Sequence, residues 1–460
     1  MQRIFAIAWL TWKAALRFRL FLVIAVLLLA AVVGLPLLIE DDGTARGFTQ
    51  ILLTYTLSVI TALLGLSTLW LACGTLARDI EECQMQVVAT KPIARWQIWL
   101  GKWLGIVSLN AALLAISGAS VYALLQYRAT KLPADQRTVL RNEVLVARGS
   151  VRERSFDKEI EDETDKLMKQ TLQKTSVSPG DVRLLRQQFK ERIKGELQLV
   201  APGMARPWKI DLGLAKHFLR DQPLFLRVKF NTANNSPNGT FGAVWQVGVP
   251  QKTQLWRSEL MSLAPDTFHE FEIPPNLFDE DGRLTIVYVN PNNVALLFPL
   301  GEGMEVLYRE SGFGVNFVRG LGIIFCWMAL LAALGLAAAS FLSFPVAAFF
   351  SLSLLTMALS SGTLANVVSE GTLMGFSGES GTTRSPIDAF VVPVFRAALN
   401  VINLAKEFSP IDSLSTGRSI TWVQLLQAFG QIVLLLGGII GGLGMVIFSR
   451  RELATAQGNQ

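Results

Sequence analysis

Long apolar runs with few charges occupy both ends of the chain, and a charged stretch with a shorter repeat lies between them. The run at 20–39 is uncharged and about 20 residues long, enough to cross roughly 30 Å of hydrocarbon. An acidic turn, Glu40-Asp41-Asp42-Gly43, closes it. Further runs at 48–76, 96–127, 315–342, 344–368 and 421–448 bring the predicted spans to six. Before the first span, 1–19 alternates apolar with basic residues and predicts an interfacial helix. Trp9 and Trp12 would sit at headgroup depth, with Lys13 and Arg17 toward the basic side. Trp96 and Lys102 flank the third span as further interface anchors, Lys102 reaching outward along its own stem.

The segment 370–420 breaks this pattern. Its apolar part, 387–404, contains Arg396, Asn400 and Asn403. A seventh span there would carry Arg450 and Arg451 to the side opposite Arg3, Lys13, Arg17, Arg19, Arg78, Lys91, Arg95 and Lys102, against the bias of basic residues to the cytoplasmic side. We therefore expect an amphipathic or re-entrant segment on the outer face, both termini and the tail 449–460 cytoplasmic, and 128–312 extracytoplasmic.

The middle stretch reads in two parts. Residues 128–205 have charge at nearly every helical turn with sparse apolar positions, predicting a helical hairpin or stalk. From 206 to 312 the period shortens to two, at 208–212, 224–230, 268–273 and 284–289, with Asn, Pro, Gly and Asp clusters between. That pattern predicts an antiparallel β-sandwich. The fold class is a polytopic α-helical membrane protein of six spans with an inserted extracytoplasmic α+β domain.

Composition sharpens the division. Of 460 residues only 17% are charged, and mean hydropathy is +0.39. Residues 128–310 hold 26 of the 42 Lys+Arg and 24 of the 36 Asp+Glu. The chain is thus a membrane frame with an ordinary soluble insert. Basic and acidic residues interleave in the insert, and no basic block with aromatics appears, so no nucleic-acid partner is expected. Cys73, Cys83 and Cys326 have no metal spacing, and His217 and His269 read as surface residues. Asp279-Glu280-Asp281-Gly282 lacks the later ligands of a calcium loop and reads as a turn. Trp208, Trp245, Trp256 and Tyr288 serve either a glycan-binding face or the core. No Gly-x-x-x-x-Gly-Lys-Ser/Thr loop occurs, and no catalytic constellation stands out, so neither an ATPase nor another enzyme activity is expected of this chain.

The informative polar segment is 77–95. Asp79, Glu81 and Glu82 predict the N-terminus of a short acidic helix, where the helix dipole favours negative charge. Pro92 ends that helix, and Arg95 restarts the chain toward the next span. A short helix held between two spans suits mechanical coupling to a soluble partner; a solvated loop is the plainer reading of the same residues. The run Arg78-Asp79-Ile80-Glu81-Glu82, then Lys91-Pro92-Ile93-Ala94-Arg95-Trp96, then Leu100-Gly101-Lys102-Trp103-Leu104-Gly105, resembles membrane subunits of type-two ABC exporters of the gliding-motility and nitrous-oxide-reductase-maturation branch. The resemblance covers 1–127 and 311–448, including the six spans and Phe408-Ser409-Pro410 through Leu414-Ser415-Thr416-Gly417. Where many members have Arg/Lys-Gly-Thr, this chain has Cys83-Gln84-Met85.

The resemblance implies a permease subunit in a bacterial inner membrane, working with a separate ABC ATPase subunit that holds ATP-Mg and with a second permease subunit, identical or paralogous. Asp79, Glu81 and Glu82 would then pair with basic residues of the ATPase, while Lys91 and Arg95 anchor the loop near the headgroups. The rival reading is a non-transporting membrane-anchored protein whose outer domain binds an envelope protein or glycan or transmits force. Hydroxyls in the second span, Thr54, Thr56, Ser58, Thr61, Ser67 and Thr68, suggest a polar seam or simple helix packing. A reporter fused after residue 460 is expected to report a cytoplasmic C-terminus; periplasmic reporter activity would remove the six-span topology.

Overall fold

The computed structural model describes residues 2–17, 19–38, 44–82, 85, 93–140, 144–174, 181–232, 239–370, 387–406 and 408–451. In chain order the elements begin with helices α1 (Gln2–Ala15), α2 (Arg19–Leu38), α3 (Ala45–Glu81), α4 (Arg95–Ala129) and α5 (Ala134–Val139). Strand β1 (Val146–Arg152), α6 (Asp157–Lys174) and α7 (Asp181–Gln198) follow. Then come β2 (Leu199–Val200), β3 (Ala205–Asp211), β4 (Leu224–Val228), β5 (Phe241–Val247), β6 (Trp256–Arg257) and β7 (Met261–Leu263). The strands end with β8 (His269–Ile273), β9 (Arg283–Val289), β10 (Leu296–Leu297) and β11 (Met304–Gly312). The last helices are α8 (Phe313–Ala339), α9 (Phe344–Leu359), α10 (Ser361–Glu370), α11 (Asp388–Lys406), α12 (Pro410–Ser415) and α13 (Trp422–Arg450).

The chain divides into two units, Met1–Ala147 with Ser311–Gln460, and Arg148–Glu310. The division falls later than the expected residue 128. Leu132 and Leu140 belong to the apolar core of the helical unit, which carries the chain past α4 before it leaves.

In the helical unit, Gly47–Glu81, Arg95–Ala129, Phe313–Ala339 and Trp422–Arg450 are each long and apolar enough to cross a membrane. The fifth expected span is not straight: Phe344–Leu359 and Ser361–Val368 meet at 66°, and counted together they make a fifth crossing. The first expected span is a shorter apolar helix, Phe21–Leu35 within α2.

Two features of this unit depart from the expectations. Helix α1, expected as an interfacial helix, runs alongside the start of α4, a contact that the sequence did not signal. A Cβ on Gly101 would lie 2.7 Å from the Ile7 Cβ, and one on Gly105 would lie 2.7 Å from the Thr11 Cβ. Both helices ascend together through these contacts, because glycines four apart let their backbones approach. Trp12 donates from Nε1 to Ser108 Oγ at 2.8 Å, so it is a packing residue; Trp9 stays exposed, with Lys13 Nζ 5.8 Å from its ring centroid. Arg17 is exposed.

The second departure concerns the ambiguous segment, of which 371–386 lies outside the described residues. Ala405 at the end of α11 accepts from Trp327 Nε1 at 3.2 Å, halfway along α8. Arg418 and Ile420 instead bind Asn316, in the first turns of α8. Eleven residues of helix separate Asn316 from Trp327, about 16 Å of rise. The chain therefore climbs back along α8 from Ala405 to Ile420, with Leu414 against Gly320 on the way.

In the second unit, one sheet has the order β1-β11-β4-β8 and another β3-β9-β5-β6, with β7 on β5 and a short β10-β2 pair. The expected stretch 128–205 is thus not wholly helical, because β1 forms an edge of the first sheet. Helices α6 and α7 pack on each other, joined by Arg186 to Asp165 at 2.8 Å. Trp208 pairs with Ile286, and Trp245 with Tyr288, in antiparallel register. Their side chains join Leu226, Val228 and Val306 of the other sheet in one apolar core. Trp208, Trp245 and Tyr288 are at most 2% exposed. They are core residues and cannot form a glycan-binding face; Trp256 alone stays half-exposed. Across the first sheet Glu305, Arg227 and Glu270 stand opposite one another, and Arg148 and Arg152 pair with Glu270 and Glu305. Alternating charge across neighbouring strands favours this register.

Asp279 sits in a turn with Gly282 at φ 82°; the turn is not the expected hairpin, because β8 before it pairs with β4 in one sheet and β9 after it with β3 and β5 in the other. The Arg283 N–H donates to its carboxylate at 2.8 Å and Lys252 lies 3.3 Å away, and these hold its pKa below the usual aspartate value. Such a group stabilises the fold above its unfolded pKa, and the contribution is lost as pH falls through the folded one.

A Gly105→Val substitution is expected to release α1, read as faster proteolysis at Lys13 in detergent-solubilised protein. Gly34→Ala, where a Cβ meets nothing within 4 Å, is the neutral control.

Candidate functional site: a ring of helix ends

The acidic triplet does not begin a helix. Helix α3 continues without a break through 37 residues to Glu81, which puts Asp79, Glu81 and Glu82 at a C-terminus. Continuation is favoured because 77–82 contains no Gly or Pro and its aliphatic face stays buried. A C-terminus carries the negative end of the helix dipole, so acidic residues there need partners.

Each described acid finds one. Lys102 Nζ lies 2.5 Å from Asp79 Oδ2 and donates to the Thr75 carbonyl at 2.8 Å, so it bridges the acid near the end of α3 and a backbone carbonyl one turn before it. Its side chain is only 8% exposed, so Lys102 does not reach for a headgroup; it pins α4 to α3. Glu81 Oε1 accepts from the Phe344 N–H at 2.8 Å, at the start of α9, where negative charge matches the dipole. Arg78 lies 4.6 Å above the Phe344 ring, and Trp70 meets the same ring edge-on at 5.1 Å. Glu82 is exposed, its N–H bonded to the Arg78 carbonyl at 2.8 Å.

The same logic extends around the other helix ends. Arg95, the first residue of α4, donates from Nη1 to the carbonyls of Ser449 at 2.8 Å and Arg451 at 2.7 Å, capping the last helix. Arg451 in turn donates to the Ser340 carbonyl at 3.1 Å, capping α8. The chain from Ser340 leads directly to Phe344, and so back to Glu81. Five helix ends thus close into a ring: α3, α4, α13, α8 and α9. Arg95 is a cap within this ring, not a headgroup anchor. Lys91 and Pro92 lie outside the described residues; Trp96 is 47% exposed.

Packing beneath the ring is close. Gly441 and Gly444 of α13 leave room for the Trp99 ring, and a Cβ on Gly335 would lie 2.6 Å from the Ala72 Cβ. Three of the six hydroxyls suspected of lining a seam bond their own helix: Thr56 to Leu52, and Ser67 and Thr68 to Leu64. Thr68 also accepts from buried Asn110 at 2.8 Å, which ties α3 to α4. These are packing contacts. An apolar groove of about 600 Å³ runs between α4 and α8, lined by Leu114, Gly118, Tyr122, Phe317 and Leu321 among others. Among the described residues no group of His, Cys, Asp and Glu could hold a metal ion. What the arrangement offers is rigidity between helix ends.

Sequence reasoning found Asp79, Glu81, Arg95 and Lys102 but gave them other partners. It missed Arg451, Phe344 and Ser340, and the α1 contact at Gly101 and Gly105. Family models, curated proteins and solved structures contain no match to this chain.

Lys102→Met is expected to destabilise the protein by about 2 kcal/mol, because it leaves Asp79 unpaired at a helix C-terminus. Adding Asp79→Asn should recover part of that loss, read by thermal unfolding in detergent. Additive losses would show that the pair does not couple.

Proposed function

We propose that this chain is the membrane-spanning permease subunit of an ABC-type transporter. A separate nucleotide-binding subunit holds ATP-Mg, and the segment between α3 and α4 receives its movement. One observation carries the reading: the two helices that bracket this segment end in a closed ring of five helix ends, joined through Asp79–Lys102, Glu81–Phe344, Arg95–Ser449 and Arg451–Ser340. A push on the segment is shared at once by every helix in the ring. The similarity of 78–105 to coupling segments of type-two ABC exporters supports the same function.

In this reading α2, α3, α4, α8, the bent pair α9–α10 and α13 are the six spans of an inner-membrane protein. Segment α11–α12 is re-entrant from the outer side, as suggested by its return along α8. The ring then faces the cytoplasm, and the unit Arg148–Glu310 lies outside as an α+β domain whose two sheets pack as a sandwich. Two permease subunits enclose the path for export or envelope remodelling.

Glu82 is exposed, follows the last residue of α3 and directly precedes the segment that receives the movement, so it is the acid expected to meet the ATPase. Purification of the full chain from its native membranes should bring down a P-loop ATPase. Glu82→Lys should lower that recovery several-fold with the unfolding temperature unchanged. No P-loop protein in the wild-type sample would overturn the assignment, and undiminished recovery with Glu82→Lys would overturn the docking residue.

A further inference from the structure

We infer that α13 is a jointed rod: its two ends are clamped, and a wide, convertible helical segment between them lets one clamp turn relative to the other. This goes beyond the transport reading and does not depend on it.

The N-terminal clamp is built on Ile420 and the first turn. Asn316 Oδ1 accepts from the Ile420 N–H at 2.7 Å, and Arg319 Nη1 donates to the Ile420 carbonyl at 2.9 Å. Arg319 also lies 4.7 Å over the Trp422 ring. Thr421 and Gln424 form a reciprocal capping box, with bonds of 3.1 and 3.0 Å. The C-terminal clamp is Arg95 on the Ser449 and Arg451 carbonyls, with Gly441 and Gly444 held close against Trp99 and Ala337.

Between the clamps, Phe429–Gly437 is a nine-residue π-helix. Such wide turns are rare and normally confined to a single turn within an α-helix. They accommodate a surplus residue, and the ladder changes step again where the Gly438 N–H returns to the Leu435 carbonyl. Converting the segment to α-helix would turn one end relative to the other by about 100°, the angle of a single residue.

The glycines give an independent indication. Gly441 and Gly444 have a steric reason, because a Cβ would collide with Trp99 or Ala337. Gly430, Gly438 and Gly442 have none: a Cβ at each would meet nothing within 4 Å. Glycine in a helix interior weakens it relative to alanine. Two of these positions, Gly430 within the π segment and Gly438 just after it, place backbone freedom between the clamps, whereas Gly442 lies between the two clamp glycines.

Hydrogen–deuterium exchange on the full chain in lipid nanodiscs tests this. Amides of 429–438 should exchange at least about tenfold faster than those of 319–336 in α8. The double variant Gly430→Ala, Gly438→Ala should suppress that excess and raise the unfolding temperature. Gly441→Ala and Gly444→Ala should instead lower it, because they strike the clamp. Exchange as slow in 429–438 as in α8 would overturn the joint. So would a double variant that is less stable than wild type or keeps the fast exchange.

Discussion

Every helix leaves orphan carbonyls at its C-terminus and orphan N–H groups at its N-terminus, and each needs a partner. At the ring, side chains of neighbouring elements supply them. Arg95 serves the end of α13, Arg451 the end of α8 and Glu81 the start of α9, while Lys102 neutralises Asp79 near the end of α3. The sign of each of these charges is opposite to that of the group it meets. The same constraint that makes the ends costly when unpaired makes them strong joints when paired. The remaining structure of the helical unit follows from bringing those ends within reach.

Small residues make that reach possible. Gly101 and Gly105 admit α1, Gly335 admits α3 against α8, and Gly441 and Gly444 admit Trp99. In each pair, dispersion and backbone proximity replace the hydrophobic drive that apolar surroundings cannot supply. One buried side-chain pair, Asn110 with Thr68, adds direction to otherwise uniform packing. Rigidity is unevenly spread as a result. The ring and the clamp at Ile420 are densely bonded, while the middle of α13 has no tight steric contact at Gly430 and Gly438 and follows a π ladder in place of the α-helical one.

The second unit solves a different problem, because it has ordinary charge content and a period-two pattern. Its aromatic residues gather inside: Trp208, Trp245, Tyr288, Phe230 and Phe298 lie within about 6 Å of one another in successive ring pairs. Asn290 and Asn292 satisfy the backbone where strands end, Asn290 bonding the Val200 and Val294 carbonyls and Asn292 bonding Gly242. Three of its four conspicuous ring residues, Trp208, Trp245 and Tyr288, lie in the core and offer no face on which a sugar could stack.

Apolar runs, charge segregation and the change of period from helical to alternating were legible directly, because each reflects only the residue's preference for water or hydrocarbon. They gave the helical frame, four of its long helices, the β-rich insert and the strands at 205–211, 224–228, 269–273 and 283–289. Residues such as Asp79, Arg95 and Lys102 were legible as important and misread as to partner. Asp79 meets Lys102 across 23 positions, and Arg95 meets Ser449 across 354. No local pattern encodes such a pairing. The strand at 146–152 and the return of the chain along α8 were hidden for the same reason, since each pairs with a partner remote in sequence, whereas the bend after α9 falls at the local run Ser360-Ser361-Gly362. The sequence by itself determined which segments avoid water and what period they follow. Only the tertiary structure decided which helix ends meet, because satisfying an orphan backbone group depends on a donor or acceptor within about 3 Å in space, wherever it lies along the chain.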